Sequence, residues 1–247
     1  MMFIDVRKAH LNGKCDQEHM YVKLPEEAGA GPGMCGRLLR WLYGMRGAAQ
    51  GWENEFCLKL ESVGFKRGKS TPVVFHRESD ETMLVVHGDD FTFLGYPEVL
   101  DELLTQMKMW WDIKLRAIIG DDREDDKEVT ILNRRLKWTG KGLTLQADDK
   151  HVREILKEFD LNEKSKGITI PVDVDGSTTE EDETPLEGKE VTRFRGLAAR
   201  ANYLGQDRCD IQYATKEISR SMAKPTRGSM AKVKRLARYL LEVPEGV

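Results

Sequence analysis

Hydrophobic and polar positions alternate in short runs along the first half of the chain. The opening run, MFIDV, has the pattern of a short buried strand that ends near Asp5. A turn-rich segment follows, in which Asn12-Gly13 is a hairpin signal. Three later runs, at 73–76, 83–87 and 91–94, predict a small antiparallel meander.

A four-residue spacing of hydrophobic positions marks the helices. Trp52, Phe56 and Leu60 share one face of a helix predicted over about 38–63. The glycines in its first half favour a close approach to its backbone, because glycine is a poor helix former. Pro97 opens a second helix, and Asp149 or its neighbour starts a third. Residues 128–146 predict a strand, a turn and a strand, and further helices are predicted at 190–205, 209–222 and 227–242.

The formal net charge of −3 conceals two segments of opposite sign. Residues 172–190 carry many carboxylates, among them Asp173 and Asp175, and few apolar side chains, so an acidic flexible linker is predicted over 166–189. The helical segment from 190 onward is basic. Such a segment either contacts a polyanion or is a solvated helix face, and the pattern alone leaves both open.

Several classes of protein are disfavoured. No run of 18 apolar residues is present to span a membrane, and the N-terminus lacks the pattern of a signal peptide. The four cysteines form no Cys-x-x-Cys motif, which predicts reduced thiols in an intracellular protein. The five histidines are scattered, which disfavours a zinc site.

The triplet Gly-Asp-Asp occurs twice, in different surroundings. Gly120-Asp121-Asp122 lies in a charged run and predicts a solvated loop. Gly88-Asp89-Asp90 lies between apolar runs, where it is either a type I′ hairpin turn or a charged site. Asp5 also ends an apolar strand. Three carboxylates at the ends of neighbouring strands can hold two Mg²⁺ ions about 4 Å apart, which would offset their mutual repulsion.

Three segments resemble the reverse transcriptase of Ty1/copia-type LTR retrotransposons: FIDVRKAHLNG, LLRWLYGMRGAAQGW and VVHGDDFTFLG, in that order and spacing. The later segments fit as well, so the resemblance covers essentially the whole chain. It implies an α+β right-hand polymerase, with a palm of antiparallel sheet and helices plus a helical thumb or connection. The implied division begins with a palm that carries the catalytic motifs, over 1–112. The end of the palm, a primer-grip-like hairpin and the first thumb helix follow over 113–165. The linker then covers 166–189, and a basic helical thumb or connection covers 190–247.

The resemblance also implies an activity and partners. The activity is RNA-directed DNA synthesis, a two-metal nucleotidyl transfer to a primer 3′-OH, with two Mg²⁺ ions that Mn²⁺ can replace. The partners are an RNA template, a DNA primer, a dNTP, and the RNase H and integrase regions of a longer Pol polyprotein, with no membrane. The expected location is a cytoplasmic virus-like particle with a nuclear stage.

Individual roles follow from the matching motifs. The catalytic metal ligands are Asp5, Asp89 and Asp90; the nucleotide-binding residues are Val6, Lys8, Ala9 and His10; the template-binding residues are Tyr43, Gly44 and Arg46; the primer grip is Lys137, Trp138 and Thr139; and the residues along the phosphate backbone are Lys232, Lys234, Arg235 and Arg238.

This sequence departs from the family pattern at several positions. His10 stands where the family usually has an aromatic residue that excludes the ribose 2′-OH, and His87-Gly88 replaces Tyr-Val before the aspartates. Gly47 and Ala49 replace Gln and Pro. Because the chain begins at the first motif, we expect the fingers subdomain to be missing and polymerisation by the chain alone to be poor. The chain is then either a fragment of a longer polyprotein or the product of a truncated gene model.

Two alternatives to an active polymerase remain open from the sequence. One is a truncated or co-opted remnant that binds nucleic acid without catalysis. The other is a general two-metal nuclease or another Mg²⁺ protein, which the Tyr43-Gly44 motif and the spacing of the motifs disfavour.

Overall fold

The computed structural model describes residues 1–172 and 180–244, so Asp173 and Asp175 of the acidic stretch lie outside the described residues. The chain divides into two compact units, which we call the N-terminal unit (Met1–Lys127) and the C-terminal unit (Glu128–Val247).

The N-terminal unit is built on a six-stranded antiparallel sheet. Its elements in chain order are β1 (Met2–Val6), β2 (Tyr21–Lys23), β3 (Cys35–Arg37), α1 (Ala48–Ser62), β4 (Lys66–Arg67), β5 (Val74–Arg77), β6 (Thr82–His87), β7 (Asp90–Leu94), α2 (Pro97–Trp110) and β8 (Ile113–Ile118). The strand order is β4-β5-β6-β7-β1-β8, and β2 and β3 pair separately. The predicted meander is therefore confirmed as β5, β6 and β7, and β1 is inserted between β7 and β8.

One face of this sheet forms the core of the unit. Ile4 and Val6 from β1 and Phe91 from β7 belong to the same buried cluster as Trp52 and Leu60 from α1. Successive side chains of a strand point to opposite faces of the sheet. Asp5, between Ile4 and Val6, and Asp90, next to Phe91, therefore belong to the other face. The sheet thereby separates an apolar side packed on helices from a side that carries carboxylates.

Two expectations for this unit need correction. The helix predicted from about residue 38 begins only at Ala48, because Trp41 N–H donates instead to the Gly13 carbonyl (3.0 Å) and Gly44 has a φ of 84°. Asn12-Gly13 is not a hairpin turn. Asn12 ends a 3₁₀ helix (Ala9–Asn12), and Gly13 is extended with a φ of −66°.

Over 128–172 and 180–244, the C-terminal unit combines a small sheet with four α-helices. Its elements are β9 (Glu128–Ile131), β10 (Arg134–Thr139), β11 (Gly142–Gln146), α3 (Asp149–Glu158), α4 (Lys189–Leu204), α5 (Gln212–Ser219) and α6 (Arg227–Glu242). The predicted first strand is really two, β9 and β10, because Leu132 and Asn133 adopt φ values of 49° and 62° and turn the chain. The predicted helices are all present, with α5 shorter than expected because residues Cys209–Ile211 form a 3₁₀ turn.

The described parts of the expected flexible linker are packed rather than free. Arg238 Nε donates to the Lys166 carbonyl (3.0 Å), and Arg235 Nε donates to the Val172 carbonyl (2.8 Å), which fixes residues 166–172 on α6. Further along, Leu186 is buried in the core of the unit. Composition alone missed these contacts, because they are made mainly by backbone carbonyls and isolated apolar residues.

Within 1–172 and 180–244, none of the helices is long and apolar enough to cross a membrane.

Candidate active site

The hairpin between β6 and β7 carries the first Gly-Asp-Asp triplet. His87 pairs with Asp90, so Gly88 and Asp89 are the two turn residues. Gly88 has a φ of 65°, whereas Asp89 is not among the residues with positive φ. A positive φ at the first turn residue alone is the pattern of a type II′ turn, so the hairpin is present but its turn differs from the type I′ alternative considered for the sequence. The hairpin and the carboxylate pair thus coexist in one segment.

The turn separates the two aspartates of the doublet. Asp89 lies exposed in the turn, whereas Asp90 is the first residue of β7 and is half-buried opposite Asp5 of β1. Val6 N–H donates to the Asp89 carbonyl (2.8 Å), which makes Val6 and Asp89 a hydrogen-bonded pair. Asp5 and Asp90 are therefore the adjacent non-hydrogen-bonded pair, in which facing side chains stand closest.

A single guanidinium contacts both strand carboxylates. Arg116 Nη2 lies 3.0 Å from Asp5 Oδ2, and Arg116 Nε lies 3.9 Å from Asp90 Oδ1. On β8, Leu115 pairs with Ile4 and Ala117 pairs with Phe3, so Arg116 is the extra residue of a β-bulge. Bulges commonly redirect a side chain beside functional sites.

The environment of Asp90 disfavours its charged form. Burial raises the pKa of Asp90, the Arg116 charge opposes that rise, and the charges of Asp89 and Asp5 add to it. Asp90 Oδ1 is buried and has no hydrogen-bond partner. A carboxylate oxygen in this position lacks the donor that a purely structural aspartate normally has.

These carboxylates suit a hard divalent cation. Mg²⁺ is usually bound by one or two protein carboxylates, together with water and phosphate oxygens. Asp5 and Asp90 face each other, and Asp89 adjoins them on the turn. Among the described residues, no cluster of three or more His, Cys, Asp or Glu side chains is already arranged to hold a metal ion. Asp5 and Asp90 therefore offer the one or two carboxylates that Mg²⁺ usually takes from a protein.

Trp52 supports the turn from the core side. It is 2% exposed, and its indole Nε1 donates to the Gly88 carbonyl (2.8 Å). Sequence reasoning placed Trp52 only on the hydrophobic face of α1 and did not single out Arg116. The indole N–H was the available signal for Trp52, since a buried Trp usually needs an acceptor. Arg116 had no such signal, because the bulge depends on the register of β8.

The predicted nucleotide and template residues lie in two segments that meet. Val6 and Ala9 are buried, while Lys8 is exposed with a φ of 54°. The His10 ring packs against the Tyr43 ring in a tilted arrangement, with ring centroids 4.5 Å apart. The structure thus joins one predicted nucleotide residue to one predicted template residue. Gly44 is open to solvent, with no atom near an added Cβ, and Arg46 is exposed.

The close approach predicted at the glycines before and within α1 comes from the chain itself. A Cβ on Gly47 or Gly51 would overlap the indole of Trp41, which is 3% exposed. A Cβ on Gly13 would lie 2.7 Å from the backbone of Gly51. These three glycines therefore let the first two sequence motifs interlock.

The second Gly-Asp-Asp triplet lies away from these carboxylates. Ile119 N–H donates to the Met1 carbonyl (2.7 Å), so the loop carrying Asp121 and Asp122 starts beside the first residue of the chain. Asp5 is four residues further along β1, about 13 Å at the rise of an extended strand. Both loop aspartates are exposed.

A comparison with known protein families identifies the family of the chain. A family described as reverse transcriptase (RNA-dependent DNA polymerase) matches residues 1–173. The chain belongs to the reverse transcriptase family. The resemblance inferred from the three motifs is thereby confirmed.

Two curated relatives of the chain come from Arabidopsis thaliana. The retrovirus-related Pol polyprotein from transposon RE1 is 26% identical over 212 residues, which cover 84% of this chain and 14% of that protein. The corresponding polyprotein from transposon RE2 is 25% identical over 253 residues, covering 98% of this chain and 16% of that protein. The chain therefore spans about one-sixth or less of the length of these relatives. No solved structure matches it significantly.

In the C-terminal unit, the predicted primer-grip residues lie on β10. Lys137 and Trp138 are strand residues paired with Thr144 and Leu143, and Thr139 closes the hairpin by donating from Oγ1 to the Gly142 carbonyl (2.8 Å).

The predicted phosphate-contacting residues of α6 fall into two kinds. Lys232 and Lys234 are exposed, whereas Arg235 and Arg238 are half-buried and bind the backbone of residues 166–172. Other arginines of this basic segment also have internal partners: Arg193 with Glu158, Arg195 with the Met222 carbonyl, and Arg208 with Asp210. A large share of the positive charge therefore stabilises the unit itself.

Proposed function

We propose that the chain is the RNA-directed DNA polymerase domain of a copia-type retrotransposon, acting within a longer Pol polyprotein. It would add dNTPs to the 3′-OH of a DNA primer paired with an RNA template. The observation that carries this proposal is the pairing of Asp5 with Asp90 across adjacent strands, with Asp89 on the turn beside them. That arrangement occurs in a chain of the reverse transcriptase family.

Asp5, Asp89 and Asp90 would hold two Mg²⁺ ions, or Mn²⁺ in their place. Bound there, such ions supply charge stabilisation for the attacking and leaving oxygens of a phosphoryl transfer. The chain's own contribution is to fix the ligands. The Val6–Asp89 hydrogen bond sets the register of the two strands, and the Trp52 indole holds the Gly88 carbonyl of the turn.

The segment between β1 and the 3₁₀ helix would bind the nucleotide. Its backbone changes direction at Lys8, whose left-handed conformation is uncommon for a residue with a side chain. His10 would border the sugar and oppose a ribose 2′-OH, and its contact with the Tyr43 ring would orient the imidazole. Tyr43 and Gly44 would lie beside the template, where the absent side chain leaves room for a base.

Nucleic acid would contact the C-terminal unit through exposed basic residues. Lys232 and Lys234 on α6 are the proposed phosphate contacts, because both extend from an exposed surface. The β10–β11 hairpin around Lys137 and Thr139 is the proposed primer grip. Affinity for an RNA–DNA hybrid should then fall steeply with salt, since each neutralised phosphate releases counterions. A flat log–log slope would show that these residues are only a solvated face.

Primer extension on an RNA template tests the activity. Three proteins are compared in Mg²⁺: this chain, this chain joined to the segment that precedes the matching region in the RE1 relative, and the joined chain carrying Asp89→Asn. We expect extension from the joined chain and none from its Asp89→Asn form. Equal extension by the variant would contradict the metal-ligand assignment. Hybrid binding without extension by any of the proteins would favour a non-catalytic remnant.

A further inference from the structure

We propose that Arg116 is a built-in counter-cation of the Asp5–Asp90 pair, which a divalent metal ion must displace, so that Arg116 weakens metal binding at the site. This inference rests on the proposed function, because it takes these carboxylates as metal ligands. It concerns a residue that the motif comparison did not single out.

The position of Arg116 supports this role. Its guanidinium forms an ion pair with each of the two carboxylates, at 3.0 Å and 3.9 Å. The three side chains are partly shielded from water, with exposed fractions of 35% for Arg116, 23% for Asp5 and 16% for Asp90. Charges in such a place are screened less than charges on an open surface, so a cation here affects the binding of a second one.

The bulge in β8 favours a mobile guanidinium. As the extra residue of the bulge, Arg116 has no partner opposite it on β1, whereas its neighbours Leu115 and Ala117 do. Its long side chain is 35% exposed, so the guanidinium can turn toward solvent. A metal ion bound to Asp5 and Asp90 would lie close to the Arg116 guanidinium, and the two positive charges would repel each other. Binding of the metal ion therefore requires that the guanidinium move away.

A purely structural ion pair would have a different signature. Whether Arg116 is a structural partner or a competitor of the metal ion, removing its guanidinium leaves the repulsion between Asp5 and Asp90 uncompensated. The metal-free protein then becomes less stable. Only competition predicts that the same substitution strengthens metal binding. We expect Arg116→Met to bind Mn²⁺ or Mg²⁺ about tenfold more tightly, which corresponds to about 1.4 kcal/mol.

Lys114 provides a matched control. Lys114 lies on β8, like Arg116, is exposed, and pairs with Asp5 of β1. Lys114→Met therefore removes one positive charge near the site without removing the guanidinium. Calorimetric titration of Mn²⁺ into wild type, Arg116→Met and Lys114→Met compares the three affinities, and circular dichroism checks that each is folded. Arg116→Gln replaces the Met variant if the latter does not fold.

The outcomes separate this inference from the proposed function. Tighter binding by the Arg116 variant but a change of less than about threefold in Lys114→Met would support it. Unchanged or weaker binding by the Arg116 variant would overturn it, as would equal tightening by both variants, which would indicate general electrostatics. An Asp90→Asn arm tests the site itself. If Asp90→Asn binds metal as wild type does, the metal assignment of the proposed function fails, whatever Arg116 does.

Discussion

Gly13→Ala should destabilise the N-terminal unit, although alanine is compatible with the backbone there. Gly13 has φ −66° and ψ 128°, a conformation open to any residue, so the substitution introduces no dihedral strain. The added Cβ would lie 2.7 Å from the Gly51 carbonyl carbon and 2.7 Å from the Trp52 nitrogen. Both atoms belong to the backbone of α1 and cannot rotate away.

The expected loss follows from two opposing effects. Replacing glycine at a compatible position gains about 0.4–1 kcal/mol by restricting the unfolded chain. Overpacking a core costs about 1–3 kcal/mol, and more where a backbone must shift. Because both neighbours are backbone atoms, we expect the cost to prevail and Gly13→Ala to lower the free energy of unfolding by about 1–2.5 kcal/mol. Gly31→Ala is the control, because its nearest neighbour would be Met34 Sδ at 3.9 Å.

Urea unfolding followed by tryptophan fluorescence provides the assay. Four of the five tryptophans, Trp41, Trp52, Trp110 and Trp111, lie in the N-terminal unit, so the signal reports mainly on that unit. The midpoint should fall for Gly13→Ala and stay level or rise slightly for Gly31→Ala. A Gly13→Ala protein as stable as Gly31→Ala would refute the interlocking of the two motifs.

Three further substitutions probe other contacts, each measured by urea denaturation. Trp52→Phe removes the hydrogen bond to the Gly88 carbonyl and leaves a small cavity, so a loss of about 2 kcal/mol is expected; no loss would contradict its support of the turn. Burial alone would raise the pKa of Asp210, but hydrogen bonds, chiefly from Arg208, lower it. Asp210 therefore stabilises the fold above its unfolded pKa of about 3.9, and this stability is lost as pH falls through the lower folded pKa. Asp210→Asn should cost about 3 kcal/mol at pH 7 and show a shallower loss in acid; an unchanged acid limb would contradict this. Thr226→Ala removes the cap of α6 and should cost about 1 kcal/mol; no change would show that the cap contributes nothing.

Hydrophobic spacing was sufficient to predict most of the helices and strands. Trp52, Phe56 and Leu60 are buried on α1 as the four-residue spacing required, and Pro97 starts α2. Errors arose where long-range contacts outweighed local preference. Residues 38–47 are not helical, because Trp41 is held by Gly13 and fills the space beside Gly47 and Gly51.

The candidate site was only partly accessible from the sequence. The motifs pointed to Asp5, Asp89 and Asp90, and strand pairing brings Asp5 opposite Asp90. Arg116 was not predicted, since its place depends on a one-residue irregularity between β1 and β8. The internal partners of Arg235 and Arg238 were also hidden, because their acceptors are backbone carbonyls, which no side-chain pattern records.

Counting bound Mn²⁺ by electron paramagnetic resonance tests the central claim most directly. Asp90→Asn is compared with Asp122→Asn, because each changes the second aspartate of a Gly-Asp-Asp triplet and removes one negative charge. Our account predicts that wild type and Asp122→Asn bind Mn²⁺ with similar affinity and that Asp90→Asn binds it at least about tenfold more weakly, since only Asp90 faces Asp5. Equal binding by both variants, or a greater loss in Asp122→Asn, would contradict the account.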